Sequence, residues 1–400
     1  MNYAEVLDWL YAQLPMFQRT GPVRYRIDLE KTRALCAALG HPEAGLKVVH
    51  IAGTNGKGSV SHAVAKALQS RGLQVGLYTS PHLVDPRERI RIQGEWIPQA
   101  AFVSFVVDHM AIWEELQPSF FELMFTMALT AFRDAEVDIV VLETGMGGRL
   151  DSTNIFPAPR VTAITSIGLD HQQFLGPDLR SIAREKAGIL KEGIPCVVGI
   201  LPPEARSVVL EQSMRLGVEV YDGMPDPTEV EGPNWLARNR AVARCILSLI
   251  ADGDPASDEA VLQAGPAAWG LRGRWHREGE HVLLDCAHNV EGLNATGEAL
   301  ARMGRPLRLV FGTVADKDVA EALQCLPPAV EHHWCAADVP RAMAVQTLSD
   351  LAVAAGRKGH AHSSVPEAVL SALEARQGDE LVVVLGSVFT VGEALTALNA

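Results

Sequence analysis

Val48-Val49-His50-Ile51-Ala52-Gly53-Thr54-Asn55-Gly56-Lys57-Gly58-Ser59 is apolar and largely β-branched up to Ala52 and then turns on glycine. It carries one lysine and one closing hydroxyl before Val60 opens a helical pattern. That order predicts a strand, a loop and a helix. In this setting backbone N–H groups gather at a helix N-terminus and cradle phosphate. A lysine adds a point charge for the outer phosphates, and the hydroxyl after it can reach a bound Mg²⁺. Gly58 separates Lys57 from Ser59, a departure from the commonest spacing that points to a particular subfamily of nucleotide loops. A plain glycine-rich turn would join the same strand and helix, but it has no use for the lysine and the hydroxyl.

Outward from this stretch, strand-like and helix-like segments alternate. Strands are expected at 48–52, 75–78, 139–143, 161–166 and 195–199, with helices at 59–71 and 119–133 between them. Alternation of this kind marks a mostly parallel sheet covered by helices. Two further helices are expected before the loop, at about 3–14 and 29–39, the second stopped by Gly40 and Pro42. The order breaks at 222–234, rich in Pro, Asp and Glu; a helix at about 235–250 follows, and 251–270 is loose in composition. A second alternating series starts at 281–285 and continues at 307–311, 332–336 and 381–385. The fold class is therefore α/β, with a P-loop-type domain at 1–265, a hinge at about 265–278 and a smaller Rossmann-like α/β domain at 278–400.

The chain has 400 residues, 48% of them hydrophobic and 21% charged, enough for two cores. A net charge of −13 supplies no basic field for nucleic acid. Neither a signal peptide nor an apolar run of membrane-spanning length is present, so the expected location is the cytoplasm. Six scattered cysteines show no metal-ligand spacing and read as reduced thiols.

In parallel sheets, functional residues collect at the carboxyl ends of strands. Four polar clusters fall there: the phosphate loop, Tyr78-Thr79-Ser80-Pro81-His82-Leu83, residues 143–154, and Ser166-Ile167-Gly168-Leu169-Asp170-His171. Glu143 ends an apolar run, so its carboxylate should emerge at the sheet edge as a metal-site residue, with Ser59 and Ser80 nearby. His171 is an atypical Mg²⁺ ligand and suits a second site or a softer ion. The crowd Arg149, Asp151, Thr153 and Asn154 favours a binding loop over a bare turn. Lys186, by itself, sits on an ordinary charged helix face. Asp285-Cys286-Ala287-His288-Asn289, preceded by Arg272-Gly273-Arg274, reads either as a nucleotide contact or as a capped turn.

Taken in order, these segments closely resemble folylpolyglutamate synthase, often bifunctional with dihydrofolate synthase, in the Mur ligase superfamily. The match includes residues 50–60, 78–83, 143–154, 170–176, 184–190 and 285–289, Asp316-Lys317-Asp318 and Gly386-Ser387. The resemblance implies an ATP-dependent ligase joining L-glutamate to a folate or dihydropteroate carboxylate. Gly53, Thr54, Asn55, Gly56, Lys57, Gly58 and Ser59 would bind the triphosphate, with Asn239 at the adenine and Arg274, Asp285 and His288 contacting ATP from the C-terminal domain. Ser59, Ser80 and Glu143 would serve one Mg²⁺ and His171 a second. Lys186 matches a lysine that becomes carbamylated. The pterin pocket would draw on Ile27, Asp28, Leu29, Phe121, Glu122, Leu150, Asp151 and Ser152. The expected partners are small molecules (folate or dihydropteroate, glutamate and ATP), with neither nucleic acid nor membrane, and the expected state is a monomer.

Two rivals follow from the same motifs. A cell-wall Mur ligase would carry a full domain before the loop, whereas about fifty residues precede Gly53 here. A nucleotide-binding module without chemistry would leave Glu143, His171 and Lys186 structural.

Overall fold

The computed structural model describes residues 1–14, 28–226, 232–250, 253–315 and 319–399. Ile27 and the segment Asp316-Lys317-Asp318 lie outside the described residues. The chain forms two compact units; within the described residues the first takes in 1–14, 28–226 and 237–270, and the second 232–236 and 271–399.

The first unit is built on an eight-stranded sheet: β1 (Val48–Ala52), β2 (Val75–Tyr78), β3 (Ile90–Ile92), β4 (Glu95–Trp96), β5 (Ile139–Glu143), β6 (Val161–Ile164), β7 (Cys196–Val198) and β8 (Val220–Asp222), in the spatial order β4-β3-β2-β5-β1-β6-β7-β8. The β2–β3 and β3–β4 pairs are antiparallel and every other pair is parallel. β1 lies between β5 and β6, with Ile51 beside Glu143 and Ala52 beside Ile164. β1 and β5 are buried along their whole length, which is why they read as continuous apolar runs rather than alternating ones.

Helices cover the sheet through two apolar clusters. Val48, Tyr78, Val140 and Leu142 pack with Phe102, Leu123, Phe125 and Phe132. Ala52, Ile164, Cys196 and Val198 pack with Ile182, Ala183, Val208 and Val209. The helix Phe120–Asp134 starts on a capping box in which the Ser119 hydroxyl receives the Glu122 N–H and Glu122 returns to Ser119.

One segment differs from the sequence expectation. The region read as loose holds a helix, Pro255–Ala268. Asp254 caps it through the Ala256 and Ser257 N–H groups, and Pro255 fits the first turn, where no N–H is needed. Gly265, at φ 83° and ψ −179°, bends it ahead of Pro266. Those two residues disguised the helix as a loop.

The second unit has a six-stranded sheet: β9 (His276–Glu278), β10 (Val282–Leu284), β11 (Leu307–Phe311), β12 (Glu331–Trp334), β13 (Gly359–Ala361) and β14 (Leu381–Leu385), ordered β13-β12-β11-β14-β10-β9. Only β9 runs antiparallel to its neighbour. Its core gathers Leu283, Leu309, Phe311, Trp334, Leu348 and Val383. All six cysteines are free. Among the described residues no helix is long and apolar enough to cross a membrane.

Candidate active site

The phosphate loop leaves β1 at Ala52 and feeds the helix Lys57–Ser70. Gly56 takes φ +85°, a left-handed conformation that a side chain resists, and a Cβ there would collide with the Asn239 side chain. The loop is held from the end of β6. Thr165 Oγ1 donates to Asn55 O at 2.6 Å, and Ser166 Oγ lies 3.0 Å from the same oxygen while accepting the Asn55 N–H at 2.9 Å. Thr54 N–H donates to Ser166 O, and the Thr54 hydroxyl bridges to Gly168. The loop backbone is thereby fixed before any ligand is considered.

Two ammonium groups converge on one carbonyl. Lys57 Nζ donates to Gly53 O at 3.1 Å, and Lys186 Nζ, from the helix Leu179–Ala187, donates to it at 2.8 Å. Lys186 is buried. Desolvation, with the nearby Lys57 charge adding to it, pushes its pKa down to about 7 against the opposing pull of Asp170 and Asp151. A large fraction of this amine is therefore neutral, and nucleophilic, near neutrality.

Glu143, at the end of β5, is 4% exposed. Its Oε2 accepts the Ser80 N–H at 3.0 Å. A Cβ on Gly58 would stand 3.5 Å from that same oxygen, which places the carboxylate against the first turn of the loop helix, where Ser59 is also buried. The Ser80-Pro81 peptide is cis. Among the described residues no three His, Cys, Asp or Glu side chains form a ready metal cage. A carboxylate set against the helix turn that carries Ser59 fits Mg²⁺, which keeps waters and completes its shell with substrate phosphates. His171 takes φ +51°, with its N–H on Asp170 Oδ1 and its ring Nε2 4.0 Å from Asp170 Oδ2.

Next to Glu143, the glycine loop 145–149 meets several residues expected at the pterin. A Cβ on Gly145 would press on the Phe121 ring and lie 3.2 Å from Asp151 Oδ2, and Phe121 packs edge-on to Tyr78 at 5.8 Å. Asp151 is buried and accepts from Met146 N, Thr153 N and Thr153 Oγ1. Burial raises its pKa, and those three donors oppose the rise. Because the Thr153 hydroxyl is spent on Asp151, its oxygen accepts from His50 Nε2 at 2.8 Å; burial, with the Lys191 charge adding to it, pushes the His50 pKa down to about 3, so the ring is neutral. Ser152 is buried in the short turn Ser152–Ile155 that Asp151 caps, and Leu150 and Leu29 are half-buried.

Some polar residues have local duties. Glu122 closes the capping box at Ser119, and Asp28 Oδ1 accepts the Glu30 and Lys31 N–H groups. Arg149 pairs with Glu185, and Asn154 Nδ2 donates to Arg149 O and Gly188 O. The pair from the binding-loop crowd thus ties the loop to the end of the Lys186 helix. Thr165 and Ser166 were not singled out from sequence as loop supports. Their signal was present, as two hydroxyls directly after an apolar strand.

In the second unit, Asp285 follows β10 and is 3% exposed. It accepts the Trp275 and Ala287 N–H groups. Burial raises its pKa, and the Arg274 charge pulls the other way. His288 Nδ1 lies 2.8 Å from Cys286 O, and Asn289 caps the helix Val290–Met303.

Known proteins share this fold and much of this sequence. The Mur ligase middle domain matches residues 51–203, and the Mur ligase, glutamate ligase domain matches 272–388. The dihydrofolate synthase/folylpolyglutamate synthase of Escherichia coli (strain K12) is 34% identical over 94% of this chain and 92% of its own. A solved bifunctional folylpolyglutamate synthase/dihydrofolate synthase from Yersinia pestis, complexed with AMPPNP and Mn ion, is 31% identical, covers 100% of this chain and 98% of its own, and gives a TM-score of 0.86. Another structure with that name, with Mn, AMPPNP and L-glutamate bound, gives 30% identity and a TM-score of 0.86 at 100% and 98% coverage. With both domains matched and near-complete relatives above 30% identity, the chain belongs to the folylpolyglutamate synthase/dihydrofolate synthase family of Mur ligases, ATP-dependent enzymes that ligate glutamate.

Proposed function

We propose that the chain adds L-glutamate to both dihydropteroate and folate through an acyl phosphate, at the ends of β1, β2, β5 and β6. The observation that carries this reading is the convergence of Lys57 and Lys186 on Gly53 O with Glu143 set against Gly58 and Ser80. Cations, a carboxylate and a fixed run of backbone N–H groups share one place, which suits a polyphosphate beside a carboxylate.

A carboxylate and an amine do not condense in water, because oxide is a poor leaving group. In the proposed sequence the substrate carboxylate oxygen attacks the γ-phosphorus of ATP and ADP leaves. The glutamate nitrogen then attacks the acyl carbon, loses its proton, and phosphate departs. With the Thr54 and Asn55 N–H groups spent on Ser166, the N–H groups of Gly56, Lys57, Gly58 and Ser59 at the helix start would hold the triphosphate, and Lys57 turns from Gly53 O and Thr54 O to the outer phosphates. Ser59, Ser80 and Glu143 would hold one divalent cation and His171 a second. When bound, such a cation neutralises phosphate charge. Asn239, whose side chain lies against Gly56, is assigned to the adenine side of the nucleotide. Arg274, Asp285 and His288 are assigned to ATP, and Phe121, Glu122, Leu150, Asp151 and Ser152, with Ile27, Asp28 and Leu29, to the pterin. A Lys186 carbamate would turn a repelled ammonium into an anionic metal-site group.

Domain limits of 1–265 and 278–400 remain our reading, with the break between Gly270 and Leu271 inside the hinge segment. We further place the enzyme in the cytoplasm, as a monomer acting on small molecules, with neither nucleic acid nor membrane as partner. The test is purified protein with ATP, Mg²⁺ and glutamate, offered dihydropteroate and tetrahydrofolate in separate reactions, with products weighed by mass spectrometry. A one-glutamate mass gain in both, with ADP formed in step, supports the reading. ADP release without a glutamate adduct in either overturns it.

A further inference from the structure

The phosphate-loop helix Lys57–Ser70 is fastened at both ends to the segment that closes the first unit. At its far end Arg71 forms a two-pronged ion pair with Asp258, at 3.0 and 2.5 Å, and also donates to Ile250 O and Leu247 O. At its near end, one turn beyond Ser59, His62 Nδ1 lies 3.2 Å from Trp269 O. His62 is 4% exposed. Trp269 caps the helix Pro255–Ala268, and its ring Nε1 donates back to Val261 O. The next residue, Gly270 at φ +75°, is the last of the first unit.

The chemistry of the His62 contact is fixed by its surroundings. A carbonyl oxygen only accepts, so Nδ1 must carry the proton. Burial, with the Arg91 charge helping, pushes the imidazole pKa down to about 3 against the pull of that hydrogen bond, so the ring is neutral. The last carbonyls of a helix have no partner within it. His62 supplies one, from the same helix whose N-terminus presents the phosphate loop.

We propose that His62 is a positioning residue that transmits occupancy of the phosphate loop to Trp269 and Gly270, the point at which the chain leaves the first unit. Resting on the nucleotide-loop reading, the inference adds the route by which bound nucleotide reaches the connection. The loop helix packs along the helix Pro255–Ala268 and is tied to it by Arg71 and Asp258, so further restraint of the loop helix by bound nucleotide reaches Trp269 through the His62 hydrogen bond, the nearer of the two ties to the loop.

The test compares wild type with His62→Asn, which keeps a donor near the Nδ1 position, and His62→Leu, which has none. Amide hydrogen exchange is followed at residues 267–271 with and without ADP and Mg²⁺. Wild type and His62→Asn should show about tenfold slower exchange at Trp269 and Gly270 with nucleotide. His62→Leu should bind ADP within about twofold of wild type yet lose that protection. Its ligation kcat should also fall with KM for ATP unchanged, and His62→Asn should restore it. Protection retained in His62→Leu overturns the proposal, as does loss of equal size in both variants. ADP binding by wild type without any change in exchange overturns it alone. A wild type that binds no ADP in a calorimeter overturns the loop reading and the proposal together.

Discussion

Each unit gathers a group of charged side chains, and the two groups are arranged in different ways. In the first unit, Lys57 and Lys186 share one carbonyl, and Lys57 is among the causes that depress the Lys186 pKa. In the second, Arg308 bridges Glu331 and Glu380, Glu331 also meets His360 and His333, and His333 Nδ1 lies 3.0 Å from His362 Nε2. The second group pairs opposite charges and contributes to holding β11, β12 and β13 together. The first sets two lysines on one carbonyl, where the Lys57 charge disfavours that of Lys186 while Asp170 and Asp151 favour it, an arrangement that an arriving anion would stabilise. Like charges held by rigid backbone mark a place for a ligand, while opposite charges in register mark a structural joint.

Four measurements sharpen or break that contrast. The largest effect is expected for Lys57→Ala, which should lower ligation by about a thousandfold. It should shift the melting temperature by no more than about 2 °C, since it also relieves repulsion. Melting as low as in a second-unit charge mutant would break the comparison. Next is Lys186→Ala, expected to lose about a hundredfold in rate and to regain part of it with a short carboxylic acid in the assay. Full activity of the alanine variant would remove the carbamate role. Third, Arg308→Met strands Glu331 and Glu380 and should cost about 3 kcal/mol in a urea melt, with the rate per folded molecule unchanged.

The smallest effect is in pH. Burial pushes His333 down to about 4. Its folded pKa lies below the unfolded value of about 6.5, so the unfolded chain binds more protons between those limits. The His333 contribution is complete above about pH 6.5 and is lost as pH falls toward 4, reaching about 2 kcal/mol by pH 5. His50 and His62, each near 3, act in the same direction in the first unit. Urea melts from pH 7 to 5 should show the decline, and His333→Gln should make it shallower by about 2 kcal/mol at pH 5 while leaving the part due to His50 and His62.

The sequence carried the sheets well where strands are buried on both faces. β5 up to Glu143 and β14 read as apolar runs, and β1 and β11 nearly so with one polar residue each, His50 and Arg308, because neither face meets water. β3, β4, β8, β9 and β13 are edge-side segments of two or three residues, too short for any period to register. Glu143 was legible because a lone acid ended such a run. Lys186 was not, since its tie to Gly53 spans 133 positions and its own neighbourhood is an ordinary charged helix. The resemblance alone singled it out. Arg149 and Asn154 looked like ligand contacts because a polar crowd after a strand gives the same signal whether it faces a guest or ties down backbone.

The clasp that Thr165, Ser166 and Gly168 put on Thr54 and Asn55 has a thermodynamic consequence. A loop already held in its receiving shape surrenders little disorder when a guest docks. Calorimetry of ADP binding should therefore record a smaller ordering penalty than a mobile glycine loop would incur, and cutting the clasp with Thr165→Val should shift that cost into the entropy.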